Sequence, residues 1–79
     1  MTITHKLVGY DKQSERVAAE YDVPEQKFDL VRRIVGVSHT DREAIGNYPL
    51  AAPAAEEVAK EIGLRLDTKR LDFFLEPAV

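Results

Sequence analysis

The stretch "RLDFFLEP", residues 70–77, carries the alternation that decides what kind of fold this chain forms. In an extended strand, neighbouring side chains point to opposite faces of the sheet. One face of this stretch is apolar and consists of Leu71, Phe73 and Leu75. The other face places one aromatic ring between two carboxylates: Asp72, Phe74 and Glu76. We predict a strand over 71–76 that buries Phe73, and Phe74 is then either covered by Tyr10 or another hairpin residue, or available to a partner.

Residues 3–10 and 15–23 predict a β-hairpin that this last strand can join. The second segment alternates, which is typical of a half-buried strand and places four residues on one face: Val17, Ala19, Tyr21 and Val23. The "DKQS" between the segments is polar and turn-prone. The register stays open, because a four-residue loop pairs Val8 with Val17 and a five-residue loop pairs Leu7 with Val17. We expect the last strand to pair with a hairpin strand, since a lone strand leaves its backbone groups unpaired.

Two segments predict amphipathic helices. The first lies between Pro24 and Gly36, and its apolar side is Phe28, Leu30, Val31, Ile34 and Val35. The second covers about 53–62, and its apolar side is Ala54, Ala55, Val58, Ala59 and Ile62. Thr40 and Glu43 match a capping box, which predicts a short helix at 41–45, and "GNYP" predicts a turn.

The predicted fold class is α+β, in a single domain over residues 1–79. It consists of a small antiparallel sheet, made of the N-terminal hairpin plus the C-terminal strand, with two main helices packed on one face. The predicted order is β-β-α-(short α)-α-β.

The composition argues against several classes of protein. With no cysteine, the chain forms no disulfide and no zinc site of the cysteine type. The net charge of -3 argues against a dedicated nucleic-acid binder. No apolar run approaches the ~20 residues of a membrane span, and "MTITHKLVGY" lacks the apolar stretch of a signal peptide. We therefore expect a cytoplasmic protein with no membrane partner, no metal and no cofactor.

Two polar groupings suggest chemistry, each with a simpler interpretation. Within "SHTD", residues 38–41, His39 and Asp41 are residue types found in small catalytic or metal sites, but no third member is evident. A polar loop with a helix cap explains them as well. Basic residues before the last strand and on the first helix form a nucleic-acid patch if they lie close together: Lys27, Arg32, Arg33, Lys69 and Arg70. The helix-turn-helix alternative requires a tight connection, which the chain lacks.

Apolar residues outside the predicted core favour an interaction surface. The loop "AIGNYPL", residues 44–50, carries Ile45 and Tyr48, and apolar loop residues either cover the core or contact a partner. With Tyr10 and Phe74, these are the expected partner contacts. The favoured hypothesis is a non-catalytic protein-interaction or regulatory module that binds another protein or a second copy. Nucleic-acid binding through the basic residues is the alternative, and a small enzyme around His39 and Asp41 ranks below it.

The frame "EYDVP … YPL … DFFLE" resembles that of short uncharacterised bacterial proteins that are grouped as domains of unknown function. The resemblance covers most of the chain. It implies a self-contained bacterial domain, and it brings no activity and no functional residues.

Overall fold

The first and last strands lie side by side in the middle of a four-stranded antiparallel sheet. The computed structural model describes residues 3–41 and 44–78. The strands are β1 (Thr4–Asp11), β2 (Val17–Val23), β3 (Tyr48–Leu50) and β4 (Leu71–Ala78), in the spatial order β2-β1-β4-β3. The helices are α1 (Phe28–Val35), preceded by a 3-10 turn over Glu25–Lys27, and α2 (Ala52–Glu61). The class is thus α+β, with two helices and an antiparallel sheet.

The predicted strand "RLDFFLEP" lies in the interior of the sheet as β4. It pairs with β1 along its whole length, from Thr4 opposite Ala78 to Asp11 opposite Leu71. On its other side it pairs with β3, where Tyr48 lies opposite Leu75. The expected pairing of the last strand with the hairpin is confirmed, and β4 extends two residues beyond the predicted end.

The alternation of β4 defines two faces of the sheet. Phe73 and Leu75 are buried on the face that we call the inner face, together with Leu7 of β1 and Val23 of β2. The same core cluster contains Val31 of α1, and it also contains Ala55 and Val58 of α2. The side chains that alternate with these belong to the other face, which we call the outer face.

A bulge in the hairpin corrects the predicted register and one predicted face. Gly9 pairs with Ala19, but the next residue, Tyr10, pairs with Val17, so Ala18 is the extra residue. Neither predicted pairing of Val17 is therefore correct. Because one inserted residue reverses the side-chain alternation, Val17 leaves the inner face and lies opposite Tyr10 on the outer face. It is 53% exposed.

Gly9 of β1 lies opposite Phe73 of β4, whose ring lies over it on the inner face. A Cβ atom added at Gly9 would lie 2.7 Å from Cε1 of Phe73, which is closer than real carbon contacts allow. The Phe73 ring can occupy the space above residue 9 only because glycine has no side chain.

The connection between the helices differs from its prediction. Tyr48–Leu50, predicted as part of a turn and a loop, forms the short edge strand β3, so the element order includes a strand between the two helices. One of the two residues of the predicted capping box, Glu43, lies outside the described residues. Of the predicted short helix at 41–45, the described residues 41, 44 and 45 are not helical, and Ala44 has a φ of 51°.

Replacing Phe73 with alanine tests the core assignment. Phe73 is only 2% exposed, so truncation leaves a cavity and should lower the free energy of unfolding by about 3–5 kcal/mol. Urea denaturation followed by circular dichroism measures the change. Val17→Ala, at an exposed position of the same sheet, is the control and should cost no more than about 0.5 kcal/mol. Equal losses in the two variants would contradict the assignment of Phe73 to the core.

Candidate functional site

The outer face carries a ring pair that covers the middle of the sheet. Tyr10 and Phe74 meet edge to face, with 5.4 Å between ring centroids and an interplanar angle of 87°. The Tyr10 hydroxyl donates a hydrogen bond of 2.5 Å to Oε2 of Glu76. Beneath them Val8, which pairs with Phe74, is only 4% exposed although it belongs to the outer face. Tyr10 therefore covers Phe74 in part, as one of the predicted alternatives had it, and both rings stay half-buried.

The electrostatic setting of Tyr10 follows from this hydrogen bond. Donation to Glu76 raises the pKa of the Tyr10 phenol above its ordinary value, and burial and the nearby carboxylates of Glu76 and Glu20 act in the same direction. The phenol thus remains a neutral hydrogen-bond donor, which fixes the ring across the outer face.

Strand pairing arranges the outer face in rows that run across the sheet. One row places Lys6 between two carboxylates, Asp22 on β2 and Glu76 on β4. The next row places Val8 between Glu20 and Phe74, and Pro49 of β3 continues it. The third row places Tyr10 between Val17 and Asp72. We call the apolar members the outer-face patch (Val8, Tyr10, Val17, Pro49 and Phe74). We call the carboxylates the acidic flank (Glu20, Asp22, Asp72 and Glu76).

The other two predicted contacts, Ile45 and Tyr48, lie away from the outer-face patch. Ile45 is 61% exposed on the loop before β3. Tyr48 pairs with Leu75, so it belongs to the inner face, where it packs against the core cluster. Its hydroxyl donates a hydrogen bond of 2.5 Å to Oδ2 of Asp41. The structure therefore brings Tyr10 and Phe74 together and separates both from Tyr48.

Asp41 holds the loop before β3 in place. Its carboxylate accepts hydrogen bonds from the backbone N–H groups of Ile45 and Gly46, at 3.1 Å each, as well as from Tyr48. The Tyr48 hydroxyl, followed by these backbone donors, lowers the pKa of the Asp41 carboxyl below its ordinary value. These hydrogen bonds tie the carboxylate to residues 45–48, whereas the helix that the polar-loop interpretation of "SHTD" included is not formed by the described residues 41, 44 and 45.

His39 does not join Asp41 in an acid–base pair among the described residues. Its side chain is exposed and borders a depression beside Arg32 and Arg33 of α1. Ser38 bonds locally, with 2.8 Å between its hydroxyl oxygen and that of Thr40. Over residues 3–41 and 44–78, no group of three His, Cys, Asp or Glu side chains is placed to hold a metal ion.

A buried histidine that the sequence analysis did not single out contacts the same loop. His5 is 4% exposed, and its Nε2 donates to the backbone carbonyl of Ala44 over 3.1 Å. Its ring stacks on Phe28 of α1, with centroids 4.3 Å apart. The signal for this position was present in the alternation, because His5 and Leu7 are two apart on one strand and so share the inner face.

The basic residues do not form one surface. Arg32 lies 6.0 Å from the Phe28 ring, near His5 at the start of β1. Arg70 lies at the other end of β1, where its carbonyl accepts a hydrogen bond from the Lys12 N–H. The strand from His5 to Asp11 spans about 20 Å. The two basic segments are thus separated along the sheet, and Lys27 pairs with Glu61 at 4.0 Å.

The fold and the surface together define a small α+β domain with one aromatic, acidic sheet face. Comparison with known families then places the chain in one of them. It belongs to the family DUF7683, a domain of unknown function, whose model matches residues 4–76. The resemblance to domains of unknown function is confirmed by this match. No curated protein and no solved structure matches the chain. Neither described helix is long and apolar enough to cross a membrane.

A double-mutant cycle tests the ring pair on the outer face. Tyr10→Ala and Phe74→Ala should lower the free energy of unfolding by less in combination than their separate effects predict, with a coupling of about 0.5–1.5 kcal/mol. The cycle between Tyr10→Ala and Tyr48→Ala, whose side chains lie on opposite faces, is the control and should be additive. An additive result for Tyr10 and Phe74 would contradict the ring contact.

Acid stability tests the role of Asp41. Because its pKa is lowered in the folded state, the unfolded chain takes up the proton first, so its contribution is present above pH ~4 and is lost as the pH falls through the folded-state pKa. Asp41→Asn should therefore be less stable than the wild type at pH 7, and this difference should shrink towards pH 2.5. Tyr48→Phe, which removes the first cause of the shift, should show a smaller change of the same sign. Urea unfolding at several pH values measures both, and a pH-independent difference would contradict the assignment.

Proposed function

We infer that both helices pack on the inner face and leave the outer face open to other molecules. The shared core cluster supports this arrangement, because it joins Val31 of α1 and Val58 of α2 to Leu7 and Leu75 of the sheet. Sheets covered on one face commonly alternate apolar residues inward with polar residues outward. The outer-face patch departs from that pattern, since it places two aromatic rings and Val17 where polar side chains are expected.

We propose that the domain is a non-catalytic protein-interaction module whose contact surface is the outer face. The observation that carries the proposal is the ring pair of Tyr10 and Phe74, half-buried beside the exposed Val17. Interface centres are enriched in aromatic residues, and they are surrounded by a polar rim. The acidic flank supplies such a rim. A domain with such a surface can regulate a partner by binding to it and covering part of its surface, without catalysing a reaction.

Nucleic-acid binding fits this geometry less well. Phosphate groups are attracted to clustered lysine and arginine, and the two basic segments are about 20 Å apart along β1. Among the described residues, the outer face, which holds the half-buried rings of Tyr10 and Phe74, carries four carboxylates against Lys6 and Lys12. Such a face repels a polyanion, so stacking of bases on Tyr10 and Phe74 lacks electrostatic support.

A bacterial, cytoplasmic setting stays an expectation from the sequence.

Matched lysine substitutions at the two large apolar residues that are exposed in the described part of the chain test which surface binds. Val17→Lys lies on the outer face and Ile45→Lys on the loop, and both positions are exposed enough to leave the fold intact. Affinity capture from native bacterial extract, quantified by mass spectrometry, should recover partners with wild type and Ile45→Lys, and lose them with Val17→Lys.

The captured partner is then purified and its affinity for the three proteins is measured directly. Loss of binding in Ile45→Lys alone would move the interface to the loop. A chain that captures no protein above bare resin, and that is monomeric in light scattering, would contradict the proposal.

A further inference from the structure

We propose that the partner of the outer face is a basic segment of another protein, which places arginine or lysine side chains against the acidic flank and apolar side chains on the outer-face patch. This inference rests on the proposed function and specifies the chemistry of its partner. It depends on the charge of one face, on the shape beside the ring pair and on the spacing of the rows.

Charge is the first observation. Among the described residues, the outer face holds the four carboxylates of the acidic flank against two ammonium groups, those of Lys6 and of Lys12 beside Asp72. Lys6 lies between Asp22 and Glu76, and Lys12 lies 3.7 Å from Asp72, so two cations face four carboxylates and Glu20 has no cation opposite it in its row. The excess negative charge surrounds an apolar centre. A partner that covers the apolar centre therefore gains by carrying positive charge at its edges.

Shape is the second observation. An open depression of about 380 Å³ lies beside the rings of Tyr10 and Phe74. Carboxylates from the end of β1, the hairpin loop and β4 border it: Asp11, Glu15, Asp72 and Glu76. A long cationic side chain in this depression contacts aromatic rings and carboxylates together, which suits the planar guanidinium group of arginine.

The depression already contains a cation that a partner can replace. Nζ of Lys12 lies 3.7 Å from Oδ1 of Asp72, and both side chains are exposed. Exposed pairs of this kind contribute little stability, so an incoming arginine displaces Lys12 at small cost. Glu76 accepts the hydrogen bond from Tyr10 with Oε2. Because a carboxylate accepts several hydrogen bonds, Glu76 can also accept one from the incoming arginine.

Spacing is the third observation. Successive rows of the outer face are two residues apart along β1, or about 7 Å. Side chains on one side of an extended peptide have the same spacing, so alternate residues of a partner segment can meet successive rows. The row of Glu20, Val8 and Phe74 then receives an apolar side chain, and the rows on either side receive cations.

A second copy of this chain fits the same face poorly. Two outer faces brought together about a two-fold axis would place acidic flank against acidic flank. Like charges in a shared interface oppose association and suppress the wrong partner. The occupant that the charges favour is thus a different, basic chain.

Peptide binding to the complete 79-residue chain tests the inference. The probe is a fluorescein-labelled nine-residue peptide of arginine, leucine and serine, and its match carries glutamate in place of each arginine. Fluorescence anisotropy should show at least ~10-fold tighter binding of the arginine peptide, weakening as salt is raised.

Charge-matched variants separate this face from general attraction to an acidic protein. Glu20→Gln with Asp72→Asn removes two charges from the acidic flank, and Glu25→Gln with Glu57→Gln removes two exposed charges elsewhere. The first pair should raise the Kd of the arginine peptide about 3- to 10-fold, and the second pair less than ~2-fold. Thermal unfolding of both variants verifies that the fold is retained.

Equal weakening by the two pairs, or equal binding of the glutamate peptide, would overturn the inference. Neither result affects the dependence of capture on Val17, so the proposed interaction face is judged separately. Concentration-dependent dimerisation of the wild type that Val17→Lys abolishes would instead assign the face to a second copy and overturn the basic partner.

Discussion

The rest of the structure depends on the pairing of β4 between β1 and β3. This strand forms backbone hydrogen bonds on both sides, and the pairing joins the last strand to the first, with Thr4 opposite Ala78. Without it, the hairpin would be a two-stranded ribbon, which is marginally stable in water. The pairing also sets the inner and outer faces, because Phe73 and Leu75 bring the core to one side and leave Phe74 on the other.

The interior position of β4 explains why the outer-face patch lies near the centre of the sheet. An interior strand has no free edge, so an aromatic residue on its outer side lies near the centre of the sheet and not at its margin. Phe74 therefore has neighbours on both sides, Val8 and Pro49, and it is covered diagonally by Tyr10. The long-range pairing of β1 with β4 thus creates both the core and the outer-face patch.

Sequence reasoning was accurate where the signal is local and periodic. The alternation of β4 and the apolar stripes of both helices depend on side-chain periodicity, which a single sequence displays directly. The hairpin register was wrong because a bulge at Ala18 adds one residue that alternation cannot reveal. The strand at Tyr48–Leu50 was missed because three residues with a central proline resemble a turn, and only β4 gives them a partner.

The sequence by itself determined an α+β class, two faces for "RLDFFLEP", and a core that includes Phe73. It also named Tyr10 as one residue that could cover Phe74. Only the tertiary structure decided that Val17 lies beside Tyr10, that Asp41 and His5 hold one loop, and that the basic segments lie apart. The physical reason is that these relations join residues distant in sequence. Their proximity is set by strand register and chain closure, which no local pattern of side chains encodes.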